Sequence, residues 1–161
     1  MKTIKLNINH QEIEVQAGLT ILEACRSQGI TIPTLCHLTE CKPKGACRIC
    51  VVEEEGKQNL IPSCVSEVKE GMRILTHSKR SLASRRMSLE LILSNHRKDC
   101  LSCTRNLNCE LQSLAQTLHV REDRFLGEKT EGRYDDLSNG LVRDTSKCIL
   151  CGRCVDACLN I

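Results

Sequence analysis

The chain has 161 residues, a formal net charge of +3 and only two aromatic side chains, Phe125 and Tyr134, against 13 cysteines. That length holds one ordinary domain or two or three small ones. So mild a charge excludes a dedicated nucleic-acid or anionic-membrane surface, and so few rings exclude a base-stacking platform and a large aromatic core. Small domains short of apolar bulk need metals or disulfides as staples. Disulfides fit poorly: the cysteine count is odd, and the opening residues Met1–His10 lack the apolar run of a secretory signal. No stretch approaches the ~18 apolar residues of a membrane span. The expectation is a cytoplasmic protein whose thiols stay reduced and free for metal.

In chain order, Ile4, Leu6 and Ile8 alternate with polar residues, predicting a strand over residues 2–8. Asn9-His10-Gln11 reads as a turn, and Ile13 and Val15 continue the alternation in a second strand. Thr20 or Gly18 opens a helix through about Gln28, with Gly29 as its stop. A cysteine- and lysine-bearing loop runs from Pro33 to about Ala46. Strands follow at Ile49–Val52, returning through Glu54-Glu55-Gly56-Lys57 to Leu60 and Ile61, and at Met72–Leu75. Residues 1–77 are therefore expected to form a compact α+β unit. From Ser78 the period changes, and Leu82, Leu89, Ile92, Leu93 and His96 share one helical face. Lys79, Arg80, Arg85 and Arg86 fall mostly on the others, as a solvated basic face. Residues 109–119 predict a further short helix through Leu111, Leu114, Ala115 and Leu118. Residues 121–147 are polar and weakly patterned, and read as a connector.

Three groups of ligand-type residues stand out. The first is Cys36, Cys47, Cys50 and Cys64, a lone Cys, a gap of ten, a Cys-x2-Cys and a distant Cys. Thiolates are the soft anionic ligands that iron in a sulfide cluster needs, and Gly45 allows the backbone to turn its amides toward the sulfurs. Residues 1–77 resemble a plant-type 2Fe–2S ferredoxin domain of β-grasp form, in the variant at the start of multi-cluster hydrogenase and NADH-dehydrogenase subunits. The resemblance implies Cys36, Cys47, Cys50 and Cys64 as the 2Fe–2S ligands. The gap of ten departs from the four of soluble plant ferredoxins, and Cys41 lies in it at the plant-like distance from Cys36. Cys36 is favoured because Cys41 stands too close to Cys47. Cys25 reads as a packed core thiol on a helix face.

The second group is His96, Cys100, Cys103 and Cys109, within fourteen positions. On residue types alone it could be a Cys3His zinc site. It resembles the His/Cys3 4Fe–4S site that follows the 2Fe–2S domain in hydrogenases and in the large electron-transfer subunit of respiratory complex I, and Glu110-Leu111-Gln112 suits that family. The third group, Cys148, Cys151, Cys154 and Cys158, is the C-x2-C-x2-C-x3-C run of bacterial ferredoxins. In that family the first three hold one 4Fe–4S cluster and the fourth belongs to a second. That second cluster needs another such run, which the 161 residues do not contain. The expectation is the front part of a longer polypeptide or a shortened relative, with the Cys158 cluster incomplete.

The resemblance implies an α+β chain in four parts: a 2Fe–2S ferredoxin-like domain (1–77), a small helical His/Cys3 4Fe–4S domain (78–120), a connector (121–147) and the start of a bacterial-ferredoxin-like domain (148–161). The implied function is electron relay within an oxidoreductase complex of the iron-only, NAD(P)-linked or electron-bifurcating hydrogenase kind. Implied partners are a flavoprotein NADH-oxidising subunit carrying FMN and NAD(P), a small 2Fe–2S subunit, and ferredoxin. No dinucleotide loop or nucleophile–base pair marks a substrate site within the chain. Cys158 favours the hydrogenase branch. A subunit akin to complex I or to an NAD-linked formate dehydrogenase is the alternative, and a zinc-stabilised binding module is the alternative of another class.

Overall fold

The computed structural model describes residues 2–121 and 124–160. The chain divides into two compact units, residues 1–85 with 152–161, and residues 86–151.

The first unit is mixed α+β. Strand β1 (Thr3–Ile8) pairs antiparallel with β2 (Gln11–Gln16) through a two-residue turn in which Asn9 and His10 both take positive φ. Positive φ at both central residues matches the right-handed twist of the flanking strands. The alternation works as expected: Ile4, Leu6, Ile8 and Val15 are buried. Helix α1 (Ile21–Ser27) begins at Thr20, whose hydroxyl accepts from the Glu23 amide while the Glu23 carboxylate accepts from the Thr20 amide at 2.7 Å. This reciprocal cap satisfies two amides that a helix start leaves orphaned. Gly29, at φ +72°, carries the chain away. Ile21, Leu22, Ala24 and Cys25 of α1 are buried with Ile4, Leu6, Ile8, Val52 and Ile74 in one core. Cys25 is thus a packed thiol, and burial pushes it up to about 11. Thr20→Ala should cost about 1 kcal/mol by loss of the cap, read as a lower thermal midpoint; an unchanged midpoint would show that core packing alone fixes this helix.

Strands β3 (Val51–Glu54), β4 (Ile61–Pro62) and β5 (Arg73–Leu75) complete a five-stranded sheet of order β2-β1-β5-β3-β4, in which β1 and β5 run parallel. Pro62 sits on the edge strand, where a missing N–H costs no ladder bond. Asn9 closes the far side by accepting from the Thr76 amide at 2.9 Å and donating to its hydroxyl at 2.8 Å.

Helix α2 spans Lys79–Asn95, and the boundary between units falls inside it. Its most buried stripe is Ser81, Arg85 and Leu89 at i, i+4 and i+8. This corrects the sequence expectation: Leu82 is only partly buried, and Arg85 lies in the interior rather than on a solvated basic face. In the second unit, helix α3 (Glu110–Thr117) buries Leu111 and Leu114, and Arg86 donates to the Leu118 carbonyl at 3.0 Å. Residues 121–147 are more than a connector. Strands β6 (Tyr134–Ser138) and β7 (Leu141–Asp144) form an antiparallel hairpin in them, while Glu122 and Asp123 lie outside the described residues. Helix α4 (Arg153–Asn160) belongs to the first unit, where Lys44 meets Asp156 at 2.6 Å. Ile161, the end of the last expected segment, is outside the described residues. No helix among the described residues is long and apolar enough to cross a membrane.

Candidate metal centres

The edge of the sheet positions the first group. Cys50 immediately precedes β3 and Cys64 follows β4, and the ladder pairs Val51 with Pro62 and Val52 with Ile61. That register brings the two cysteines to the same end of the strands. Ser63 secures it by donating to the Cys50 carbonyl from both its amide, at 3.2 Å, and its hydroxyl, at 2.8 Å. The Cys50 and Cys64 sulfurs then stand 3.4 Å apart. The shared proton draws Cys50 down to about 6, against its burial, and pushes Cys64 up. At Cys47 burial pushes the thiol up, with the neighbouring Cys36 thiol adding to the rise and the Ile49 and Leu35 backbone opposing it. The Gly45 backbone opposes the rise at Cys64. Three of these four thiols are buried and Cys47 is half-buried. Cys41 lies in a turn where its own amide donates to the Leu38 carbonyl at 3.3 Å.

Left-handed backbone occurs in each of the cysteine loops. Gly45 (φ +61°) and Arg48 (φ +57°) flank Cys47, Leu107 (φ +63°) precedes Cys109, and Leu150 (φ +53°) and Gly152 (φ +73°) flank Cys151. For Arg and Leu this conformation costs on the order of 1–3 kcal/mol each and persists only where the surroundings impose it. Such turns of the chain collect amide N–H groups into concave surfaces suited to anions.

In the second unit His96 follows α2, Cys100 opens a short 3-10 turn, and Cys109 caps α3. His96, Cys100 and Cys109 line one cavity of about 180 Å3, walled by Leu93, Leu111, Ala115 and Val120. That is far more than the ~10–15 Å3 a single water requires. Cys103 is held one turn on by its amide bond to the Cys100 carbonyl, at 3.1 Å. The His96 Nδ1 atom is buried with no hydrogen-bond partner. Burial also pushes the imidazole down, toward the neutral form a metal ligand needs. Gln112 braces the loop, its carbonyl oxygen accepting from the Leu107 amide at 3.0 Å and its amide donating to Asn106 at 3.1 Å. A wider cleft of about 560 Å3, lined by Arg97, Lys98, Lys129 and Tyr134 among others, carries no cysteine.

The third run straddles the boundary between the units, with Cys148 and Cys151 in one and Cys154 and Cys158 in the other. Cys154 and Cys158 are one helical turn apart on α4, and Cys148, Cys154 and Cys158 are exposed. Within the second unit the start of this run is tied to the second group. The Arg97 amide donates to the Ser146 carbonyl at 3.0 Å, and Asp99 faces both Arg97 and Lys147, at 3.2 and 3.6 Å. Among the described residues, no three His, Cys, Asp or Glu side chains converge on a site for one metal ion.

The sequence gives no sign of the roles of Asp99 and Arg85, and marks Gln112 only as part of Glu110-Leu111-Gln112. Asp99 and Gln112 sit among the cysteines as ordinary polar residues, and only the fold shows what they hold.

Three protein-family models match the chain in succession: a 2Fe-2S iron-sulfur cluster binding domain over residues 1–79, an NADH-ubiquinone oxidoreductase-G iron-sulfur binding region over 85–124, and a 4Fe-4S binding domain over 141–158. The NADP-reducing hydrogenase subunit HndD of Solidesulfovibrio fructosivorans is 42% identical over the whole of this chain, which covers 28% of that relative. A G-type subunit of the NADH-quinone oxidoreductase of Rhizobium meliloti is 36% identical over 98% of this chain and 19% of its own length. NADPH-Fe(3+) oxidoreductase subunit alpha of Geobacter sulfurreducens is 37% identical over 94% of this chain and 18% of its own. The chain thus spans less than a third of the length of these curated relatives. A chain in the crystal structure of an NAD+-reducing [NiFe]-hydrogenase in the H2-reduced state superimposes with a TM-score of 0.90 and 31% identity, covering 97% of this chain and 66% of that one.

Proposed function

From the premise that this chain belongs to the iron–sulfur region shared by the HndD hydrogenase subunit and the G-type subunits of NADH-quinone oxidoreductase, we propose that it relays single electrons through three cluster sites. The observation that carries this is the 3.4 Å approach of the Cys50 and Cys64 sulfurs, with Cys36 buried and Cys47 half-buried in the loop before them. A diiron core needs two thiolates on each iron, four in all, and Cys36, Cys47, Cys50 and Cys64 are that set. The chain's own part is to hold the thiolates at a fixed spacing through the β3–β4 register and Ser63, with the backbone at Gly45, Ile49 and Leu35 favouring their charged form. The mixed sheet with α1 packed against its core fits the β-grasp form expected of residues 1–77.

His96, Cys100, Cys103 and Cys109 are the ligand set for a 4Fe–4S cluster, supported by the shared cavity and the orphaned imidazole nitrogen. Cys148, Cys151 and Cys154 are the set for another, and Cys158 belongs to a further ferredoxin-type cluster. When bound, such clusters supply one-electron storage at potentials set by ligand type, charge and burial. The Asp99–Lys147 and Arg97–Ser146 contacts hold Cys148 near the second group, so that charge has a short path between those sites.

In this reading the chain is the electron-transfer part of a cytoplasmic oxidoreductase complex and holds no substrate site of its own. FMN and NAD(P) reside on a flavoprotein partner, and a small 2Fe–2S subunit and ferredoxin complete the set of redox partners. Cys158 favours a NAD(P)-linked or electron-bifurcating hydrogenase of the iron-only kind. The match of residues 85–124 to the oxidoreductase-G region favours, as the second reading, a complex I-like or formate dehydrogenase subunit. Stepwise chemical reduction followed by EPR tests the relay: a slowly relaxing 2Fe–2S signal and separate fast-relaxing 4Fe–4S signals should appear at different potentials. One signal type alone would contradict it.

A further inference from the structure

Arg85 is the largest of the fully buried side chains, at 1% exposure, and no carboxylate pairs with it among the described residues. Among the described residues its only hydrogen bonds run from one terminal nitrogen to the Val51 and Thr76 carbonyls, both at 2.8 Å, and its Nε has no partner. Val51 is the residue directly after Cys50. A guanidinium stays protonated even when buried, so this charge cannot be relieved by losing a proton. An unpaired buried charge is among the costliest features a small domain can carry. Two neutral carbonyls satisfy its donors in part but leave its charge uncompensated.

The neighbours show where the compensation lies. His77, close to Arg85, is pushed toward the neutral form by burial and by the guanidinium itself, so it adds no second positive charge. Burial pushes Arg85 down, and the group that favours its charged form is Cys50. The Val51 carbonyl that Arg85 engages directly follows Cys50, so the guanidinium sits at the end of β3 where the Cys50 and Cys64 sulfurs meet.

We propose that Arg85 is the built-in counter-charge of the 2Fe–2S site: it offsets the negative charge of the cluster on Cys36, Cys47, Cys50 and Cys64 and raises that cluster's reduction potential. The proposal rests on the cluster reading above. One electron entering the site converts one ferric iron to ferrous and makes the whole more negative, with no bond broken. A fixed positive charge in a low-dielectric interior favours that product over the oxidised form. Arg85 thereby makes this cluster a better electron acceptor than it would be without the charge.

The test is an EPR-monitored redox titration of the cluster-loaded chain, with dithionite as reductant, on wild type, Arg85→Gln and Arg85→Lys. Gln keeps a donor for the carbonyls but carries no charge; Lys keeps the charge but loses the planar fork. At the wild-type midpoint, the reduced-to-oxidised ratio of the 2Fe–2S signal should fall about tenfold in Arg85→Gln, which is ~59 mV for one electron. Arg85→Lys should stay near wild type, and the 4Fe–4S signals should not move in either variant. Loss of the cluster from the Gln variant alone, with Lys unmoved, also supports a charge role. An unmoved midpoint in Arg85→Gln, an equal shift in both variants, or cluster loss from both would mark Arg85 as a structural brace and overturn the proposal. Absence of a 2Fe–2S signal in wild type would instead defeat the cluster reading itself.

Discussion

Cys36→Ser is expected to abolish the 2Fe–2S EPR signal almost completely, while Cys41→Ser leaves it intact. The two residues are five positions apart in the same loop, and the family spacing alone admits either as a ligand. The structure separates them by surroundings. Cys36 is buried and acts on the neighbouring Cys47 thiol, whereas Cys41 is half-buried in a turn of its own. A serine at position 36 would leave one iron with a single soft ligand and a hard hydroxyl that does not ionise near neutral pH. The measurement is signal intensity per chain after anaerobic loading. A signal lost in Cys41→Ser and kept in Cys36→Ser would reverse the ligand choice.

His96→Cys should retain the second cluster and lower its potential. Imidazole is neutral where thiolate is anionic, and exchanging thiolate for imidazole raises potentials in iron–sulfur centres. The cavity that His96 shares with Cys100 and Cys109 is the observation behind it as ligand, and its buried Nδ1 without a hydrogen-bond partner agrees with that. The shift is read by titrating the second cluster while the 2Fe–2S midpoint serves as internal reference. An unchanged midpoint would remove His96 from the ligand set.

Much of the first unit was legible from residue pattern because its physics is local. Alternation marked β1 and β2, and Thr20 with Glu23 three positions on marked the start of α1. The order of the sheet was not legible, because the parallel pairing of β1 with β5 is decided by packing across more than sixty positions. The hairpin at residues 134–144 was overlooked although Asn139-Gly140, a strong turn signal, stands between its strands. Its strand faces are exposed, so no apolar alternation advertises them.

Arg85 shows the opposite failure. Its neighbours Lys79, Arg80 and Arg86 are basic, and a periodicity count assigns all four to water. Only the tertiary structure shows that the inward stripe of α2 begins with Ser81 and Arg85. The cysteines, by contrast, were legible at once, since thiol spacing encodes ligand geometry directly. What spacing could not provide is the pairing: that Cys50 meets Cys64 follows from the β3–β4 register and from Ser63, not from the distance between them in sequence.

The most direct test of the whole account is elemental analysis of chain purified without exposure to oxygen. The three cluster sites predict about ten iron and about ten inorganic sulfide atoms per chain, with zinc absent. Stoichiometric zinc without sulfide, or a chain free of metal, would contradict it.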